Sequence, residues 1–178
     1  MRNKLTSKQF QTIFSIMEKS FPEGEIRTFE KQSTLLSDNR YNIITKSDEN
    51  NEIIGFIAYW EFKNFIYVEH FALLPENRGR GEGTALLKEL VKSASKIIVL
   101  EIEFPIDSES KRRLAFYERQ GFIGNNYAYI QPSMRSNTLP VPMKLMSYAK
   151  RLERTEFEEI KQTLYREVYQ LKDSTEYC

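Results

Sequence analysis

From Phe65 to Leu74 the chain is apolar and rich in β-branched and aromatic residues, and it then runs through Arg78-Gly-Arg-Gly-Glu-Gly83 into Thr84-Ala-Leu-Leu. That pattern is a strand, a glycine-rich turn and the start of a helix. Gly79, Gly81 and Gly83 let the backbone turn and let an anion approach it, while the unpaired N–H groups of a helix start point at that anion. Arg78 and Arg80 add positive charge in the same place. The chemistry implied is phosphate binding. Two rival phosphate loops fail on spacing: a dinucleotide fingerprint needs Gly-x-Gly-x-x-Gly, and the last glycine here comes one place early. A P-loop needs Lys followed by Ser or Thr, and here Gly83 runs straight into Thr84 with no lysine between them.

The elements that must position this turn are legible in the spacing of apolar residues. Thr6-x-x-Gln9 has capping-box spacing, and Phe10, Ile13, Phe14 and Met17 follow at helical intervals, which predicts a helix over 7–20. A second helix is expected over 25–36. Residues 41–45 and 53–62 read as a hairpin around Ser47 to Asn51, with 65–74 as a third strand. The helix after the glycine turn carries Leu86, Leu87, Leu90 and Val91 on one face, and 96–103 reads as a buried central strand. A helix capped by Asp107 or Ser108 stops at Gly121; strands are expected at 127–131 and 143–148. Thr155-x-x-Glu158 is read as a capping box opening a long helix striped by Phe157, Ile160, Leu164, Val168 and Leu171.

The 178 residues suit one domain with a full core. Formal net charge is +1, so the balance carries no broad footprint for nucleic acid or an anionic membrane. Cys178 is the single cysteine and His70 the single histidine, which excludes an internal disulfide and leaves no ligand spacing for a metal. No stretch approaches the ~18 apolar residues of a membrane span. A soluble, cytoplasmic protein is the expectation.

The spacing Arg78-x-x-Gly81-x-Gly83 after an apolar strand, together with Leu114-Ala-Phe-Tyr-Glu-Arg-Gln-Gly-Phe122 downstream, resembles the GNAT superfamily of N-acetyltransferases. The likeness runs from about Thr6 to Tyr148. It implies an α/β (α+β) fold with a central mixed, mostly antiparallel sheet flanked by helices. Residues 1–150 would form the acetyltransferase domain and 151–173 an extra C-terminal amphipathic helix, covering its own sheet or meeting a second chain as a homodimer; 174–178 would be a flexible tail.

By the same resemblance the chain transfers acetyl from acetyl-CoA, without a metal, to a primary amine of a small molecule or peptide by direct attack. The alternative is a non-catalytic GNAT-fold sensor or scaffold that binds acyl-CoA. The pyrophosphate would lie on the main chain of Arg78, Gly79, Arg80, Gly81, Glu82, Gly83 and Thr84, and the pantetheine along Phe71, Ala72 and Leu73. Ser110 stands where the family has an asparagine that bonds the pantetheine. Tyr117 would protonate the departing thiolate, and a strand N–H near Phe71 would stabilise the oxyanion. Counting back from Arg78, Tyr67 and Glu69 occupy positions where family members place a catalytic carboxylate or histidine, and Glu69 is the candidate proton acceptor, or else an acidic residue that binds the amine.

Alternation puts Tyr67, Glu69, Phe71 and Leu73 on one face of the strand and Val68, His70 and Ala72 on the other. His70 is therefore expected to be structural. Glu101 and Glu103 share one face of the next strand; they either bind an amine, or mark the exposed end of the strand or pair with Arg112 or Arg113. The resemblance implies that the first two helices and the last strand pair choose the acceptor, and the polar residues these offer are Glu25, Tyr129 and Gln131.

Overall fold

Within residues 5–171, the stretch described by this computed structural model, the strands are β1 (Tyr41–Ser47), β2 (Ile53–Glu61), β3 (Phe65–Leu73), β4 (Ile97–Glu103), β5 (Phe122–Gly124), β6 (Tyr129–Gln131) and β7 (Val141–Tyr148). They make one sheet in the order β1-β2-β3-β4-β7-β5, with β6 also paired to β7. Only β3 and β4 run parallel; the other pairs are antiparallel. The parallel pair is joined by a crossover through α3 (Glu82–Ser93), as parallel neighbours require.

Helices cover both faces. α1 (Ser7–Ser20) and α2 (Phe29–Thr34) lie on one side with α5 (Arg154–Thr163); Ile13, Met17, Phe56, Trp60, Phe157 and Leu164 meet in the core there. α3 and α4 (Ser108–Arg119) close the other side over Ile57, Val68, Ile98 and Leu100. The C-terminal helix thus buries its apolar stripe on the chain's own sheet. It continues past Thr163 as a wide turn, Leu164–Val168, in which Tyr169 N–H reaches Leu164 O. Asp173 and the expected tail at 174–178 lie outside the described residues.

Local signals set most boundaries. The Thr6 and Gln9 capping box opens α1, and Asp107 with Ser110 forms a second box at α4. Three expectations need correction. The segment 25–36 is broken into a 3-10 turn at Glu23–Glu25, the short α2 and another 3-10 turn, because Ile26 is extended and it and Arg27 are buried outside any helix. The box of the last helix joins Glu153 to Glu156, not Thr155 to Glu158. β5 was not foreseen; three residues carry too short an alternation to stand out.

A bulge in β3 bears directly on the site. Ala58 pairs with His70, and the next residue of β2, Tyr59, pairs with Val68, so Glu69 has no partner on β2. One extra residue reverses the alternation beyond it. Glu69 and His70 consequently point to the same side, toward Arg27 and Phe21, while Phe71 crosses to the other side and meets Phe116. The expected grouping of Glu69 with Phe71, opposite His70, is overturned.

Candidate active site

β3 and β4 pair from Phe65 with Ile97 to Val68 with Leu100, and no further. Beyond that point the strands part. The edge of β3 from Glu69 to Leu73 that faces β4 is left free of a ladder, which suits an extended arm bonding to main-chain groups. The glycine turn lies just past it. Gly79 and Gly81 have φ of 77° and 84°, conformations that side-chain-bearing residues rarely adopt, and nothing stands within 4 Å of a Cβ built on either. Gly81 is the N-cap of α3 and offers no side-chain cap, so the N–H groups of the first turn, Glu82, Gly83 and Thr84, are free for an anion. Gly83 has another role: a Cβ there would lie 3.2 Å from Leu73 and 3.3 Å from Phe71, so its absence seats α3 against β3. Arg78 and Arg80 are exposed, and Arg78 Nε donates to Leu73 O at 3.1 Å. These residues fit the diphosphate and pantetheine of acetyl-CoA.

Ser110 fits less well. It is buried, and its hydroxyl is engaged with Asp107 in the cap of α4, so it is committed to holding its own helix start. Tyr117 is buried between Phe116 and Phe122 on the side of α3. Burial raises its phenol above the ordinary value, offset in part by Arg113, so the hydroxyl keeps its proton.

Two carboxylates flank the parting of the strands, with opposite surroundings. The Glu69 side chain has no accessible surface; Oε1 accepts from Arg27 Nη1 at 2.9 Å and from Trp60 Nε1 at 3.1 Å, and Oε2 lies 3.4 Å from His70 Nδ1. Burial alone would push this carboxyl up, but Arg27 and the contacts with His70 and Trp60 outweigh it and hold it at about 2. Such a group is a poor proton acceptor at neutral pH, and its geometry is that of a structural ion pair. His70 is structural too: Nε2 lies 2.8 Å from Glu25 O, and the ring packs on Phe21.

Among the described residues Glu101 has only neutral hydrogen-bond partners. Tyr67 Oη and Tyr169 Oη donate to Oε2 at 2.9 and 2.8 Å, Gln131 Nε2 also donates to Oε2, and Tyr129 Oη donates to Oε1. Burial pushes this carboxyl above its ordinary value, and the four hydrogen bonds pull against that shift. The phenols of Tyr67, Tyr129 and Tyr169 are themselves driven far up, first by burial and then by Glu101, so they remain donors. Glu25 is raised by burial and then by the charges of Glu103 and Glu101, with His70 and Arg113 pulling the other way. Of the alternatives open for Glu103, the structure shows the pairing with Arg113.

The fold therefore brings together Tyr129, Gln131 and Glu101 with Tyr67, and separates Glu69 from them as a buried anchor. Sequence reading missed Tyr169 and Arg27. Arg27 had a faint signal, an arginine beside an isolated apolar residue between two polar stretches; Tyr169 had none.

The sequence model of the acetyltransferase (GNAT) family matches residues 8–122, and the chain belongs to that family as an N-acetyltransferase. It is similar to "Putative acetyltransferase YjbC" of Bacillus subtilis (strain 168), with 30% identity over 163 residues, 88% of this chain and 81% of that protein. The solved "Putative acetyltransferase from GNAT family" from Bacteroides thetaiotaomicron superposes with a TM-score of 0.86 at 32% identity, over 96% of this chain and 98% of the other. A phosphinothricin acetyltransferase (Pat) from Sinorhizobium meliloti, solved in complex with AcCoA, shares the fold with a TM-score of 0.59 at 18% identity, over 82% of this chain and 85% of its own. No helix among the described residues is long and apolar enough to cross a membrane.

Proposed function

We propose that this chain moves an acetyl group from acetyl-CoA to a primary amine by direct attack, with Glu101 as the proton acceptor and Tyr117 as the proton donor. The observation that carries this reading is the contrast at the strand fork: Glu69 is ion-paired and held at about 2, whereas Glu101 has no cationic hydrogen-bond partner among the described residues and is raised by burial. A base works best when its pKa lies near the operating pH, so the raised carboxylate is the better one.

Acetyl-CoA, when bound, supplies the activated acyl carbon. The free amides of Glu82, Gly83 and Thr84 would hold its diphosphate, and the free edge at Phe71 to Leu73 would hold its pantetheine; a protein of the same fold from Sinorhizobium meliloti has been solved in complex with AcCoA, in keeping with that ligand. Glu25 and Glu101 favour an acceptor that arrives as an ammonium ion, while Glu103 is held by Arg113. Glu101 takes the proton that makes the amine nucleophilic, and Tyr117 keeps its own proton for the departing thiolate.

The test is release of free CoA thiol when the purified protein is given acetyl-CoA and a panel of polyamines, aminoglycosides, amino acids and peptides. Wild type should turn over with at least one amine, and Glu101→Gln should lose that turnover while still binding acetyl-CoA. Full turnover in Glu101→Gln would remove the base. Saturable acetyl-CoA binding with no amine stimulating thiol release would instead favour a sensor.

A further inference from the structure

The C-terminal turn reaches into the strand fork from beyond the stretch that the family model matches, which ends at residue 122. The wide turn after α5 is clasped by Arg27, whose Nη2 donates to Val168 O at 2.9 Å while Nη1 pairs with Glu69. One residue later Tyr169 presents its hydroxyl 2.8 Å from Glu101 Oε2 and 3.1 Å from Tyr67 Oη. The two oxygens of Glu101 are unequally used: among the described residues Oε2 accepts from Tyr67, Gln131 and Tyr169, whereas Oε1 accepts from Tyr129 alone. A carboxylate oxygen has about two lone-pair sites, so Oε2 is saturated and Oε1 is not.

We propose that Tyr169 is a positioning residue of the transfer reaction: it locks Oε2 of Glu101, leaving Oε1 as the oxygen presented to the acceptor amine. The inference rests on Glu101 being the base. It also gives the buried Glu69 a purpose, since Glu69 holds Arg27 and Arg27 holds the turn that carries Tyr169. Hydrogen bonds to a carboxylate favour its ionised form, so removing one moves its titration to higher pH. The other groups facing Glu101 are Tyr67 from β3, Tyr129 and Gln131 from β6, Glu25 from the α1–α2 connection and Glu103 on its own strand.

The experiment is a 13C carboxyl titration by NMR, in which the Glu101 signal is identified by its loss in Glu101→Gln. Tyr169→Phe should move the midpoint to higher pH. Tyr165→Phe serves as control, because Tyr165 lies on the same turn and donates to Ile130 O rather than to Glu101. It should leave the midpoint in place. With the best amine from the panel, Tyr169→Phe should lower kcat at pH 7 about tenfold and leave the acetyl-CoA Kd within about twofold. An unmoved midpoint in Tyr169→Phe, or equal movement in both variants, overturns the proposal. Full turnover in Glu101→Gln removes the reaction role from both residues, whichever way the midpoint moves.

Discussion

Tyr67 Oη donates to Glu101 Oε2 at 2.9 Å across the gap between β3 and β4, so side chains keep the strands tied where main-chain pairing ends. The bond holds the carboxylate beside the free edge of β3 and buries it without neutralising it. Sequence reading favoured Glu69 over Glu101 as the proton acceptor, yet in the fold Glu69 ends in an ion pair and Glu101 among phenols.

Replacing Glu69 should cost the fold more than the chemistry. Glu69→Gln leaves Arg27 buried without its counter-charge, and breaking one side of a buried pair typically costs about 3–5 kcal/mol. Urea unfolding at pH 7 reads this as a lower midpoint with an unchanged slope. A stability equal to wild type would mean that the pair contributes nothing.

The same pair predicts an acid limb of stability. The folded carboxyl of Glu69 lies at about 2, below its ordinary 4.5, so its contribution is complete above about pH 5 and is lost as the pH falls toward 2. The depression corresponds to roughly 3 kcal/mol by linkage. Unfolding midpoints at pH 7 and pH 3 should therefore differ more in wild type than in Glu69→Gln.

Glu101 carries the opposite sign. Its carboxyl is raised on folding, so its ionised form costs stability at neutral pH, and the cost disappears as pH falls through the raised value. Glu101→Gln should melt no lower than wild type at pH 7, since tyrosine hydroxyls can donate to or accept from the new amide. Its turnover should fall by about 10²–10⁴. In wild type, activity should decline as pH drops through a midpoint above the ordinary carboxylate range, measured as kcat at saturating amine.

The glycine turn gives a binding prediction. Gly81→Ala places a side chain at φ 84°, costing about 1 kcal/mol in stability, and disturbs the amides that face the diphosphate. Calorimetric titration with acetyl-CoA should show affinity weakened about tenfold if one such contact is lost. Tyr117→Phe should leave that affinity unchanged and lower kcat instead. A wild-type kcat in Tyr117→Phe would end its role as the acid.

Much of this protein was legible before folding, because it depends on neighbours in the chain. The Thr6 and Gln9 box, the Leu86, Leu87 and Leu90 stripe and the alternation of β2 are contacts or periods a few residues long, and the glycine turn announces its anion site by backbone freedom alone. Tertiary contacts decided the roles of the carboxylates. The bulge at Glu69 depends on how β2 and β3 match across the sheet, and no residue type marks it. Glu69 meets Arg27 across 42 positions, and Glu101 meets Tyr169 across 68. A carboxylate's pKa is set by burial and by the charges beside it, and only the folded chain brings a cation to Glu69 and phenols to Glu101.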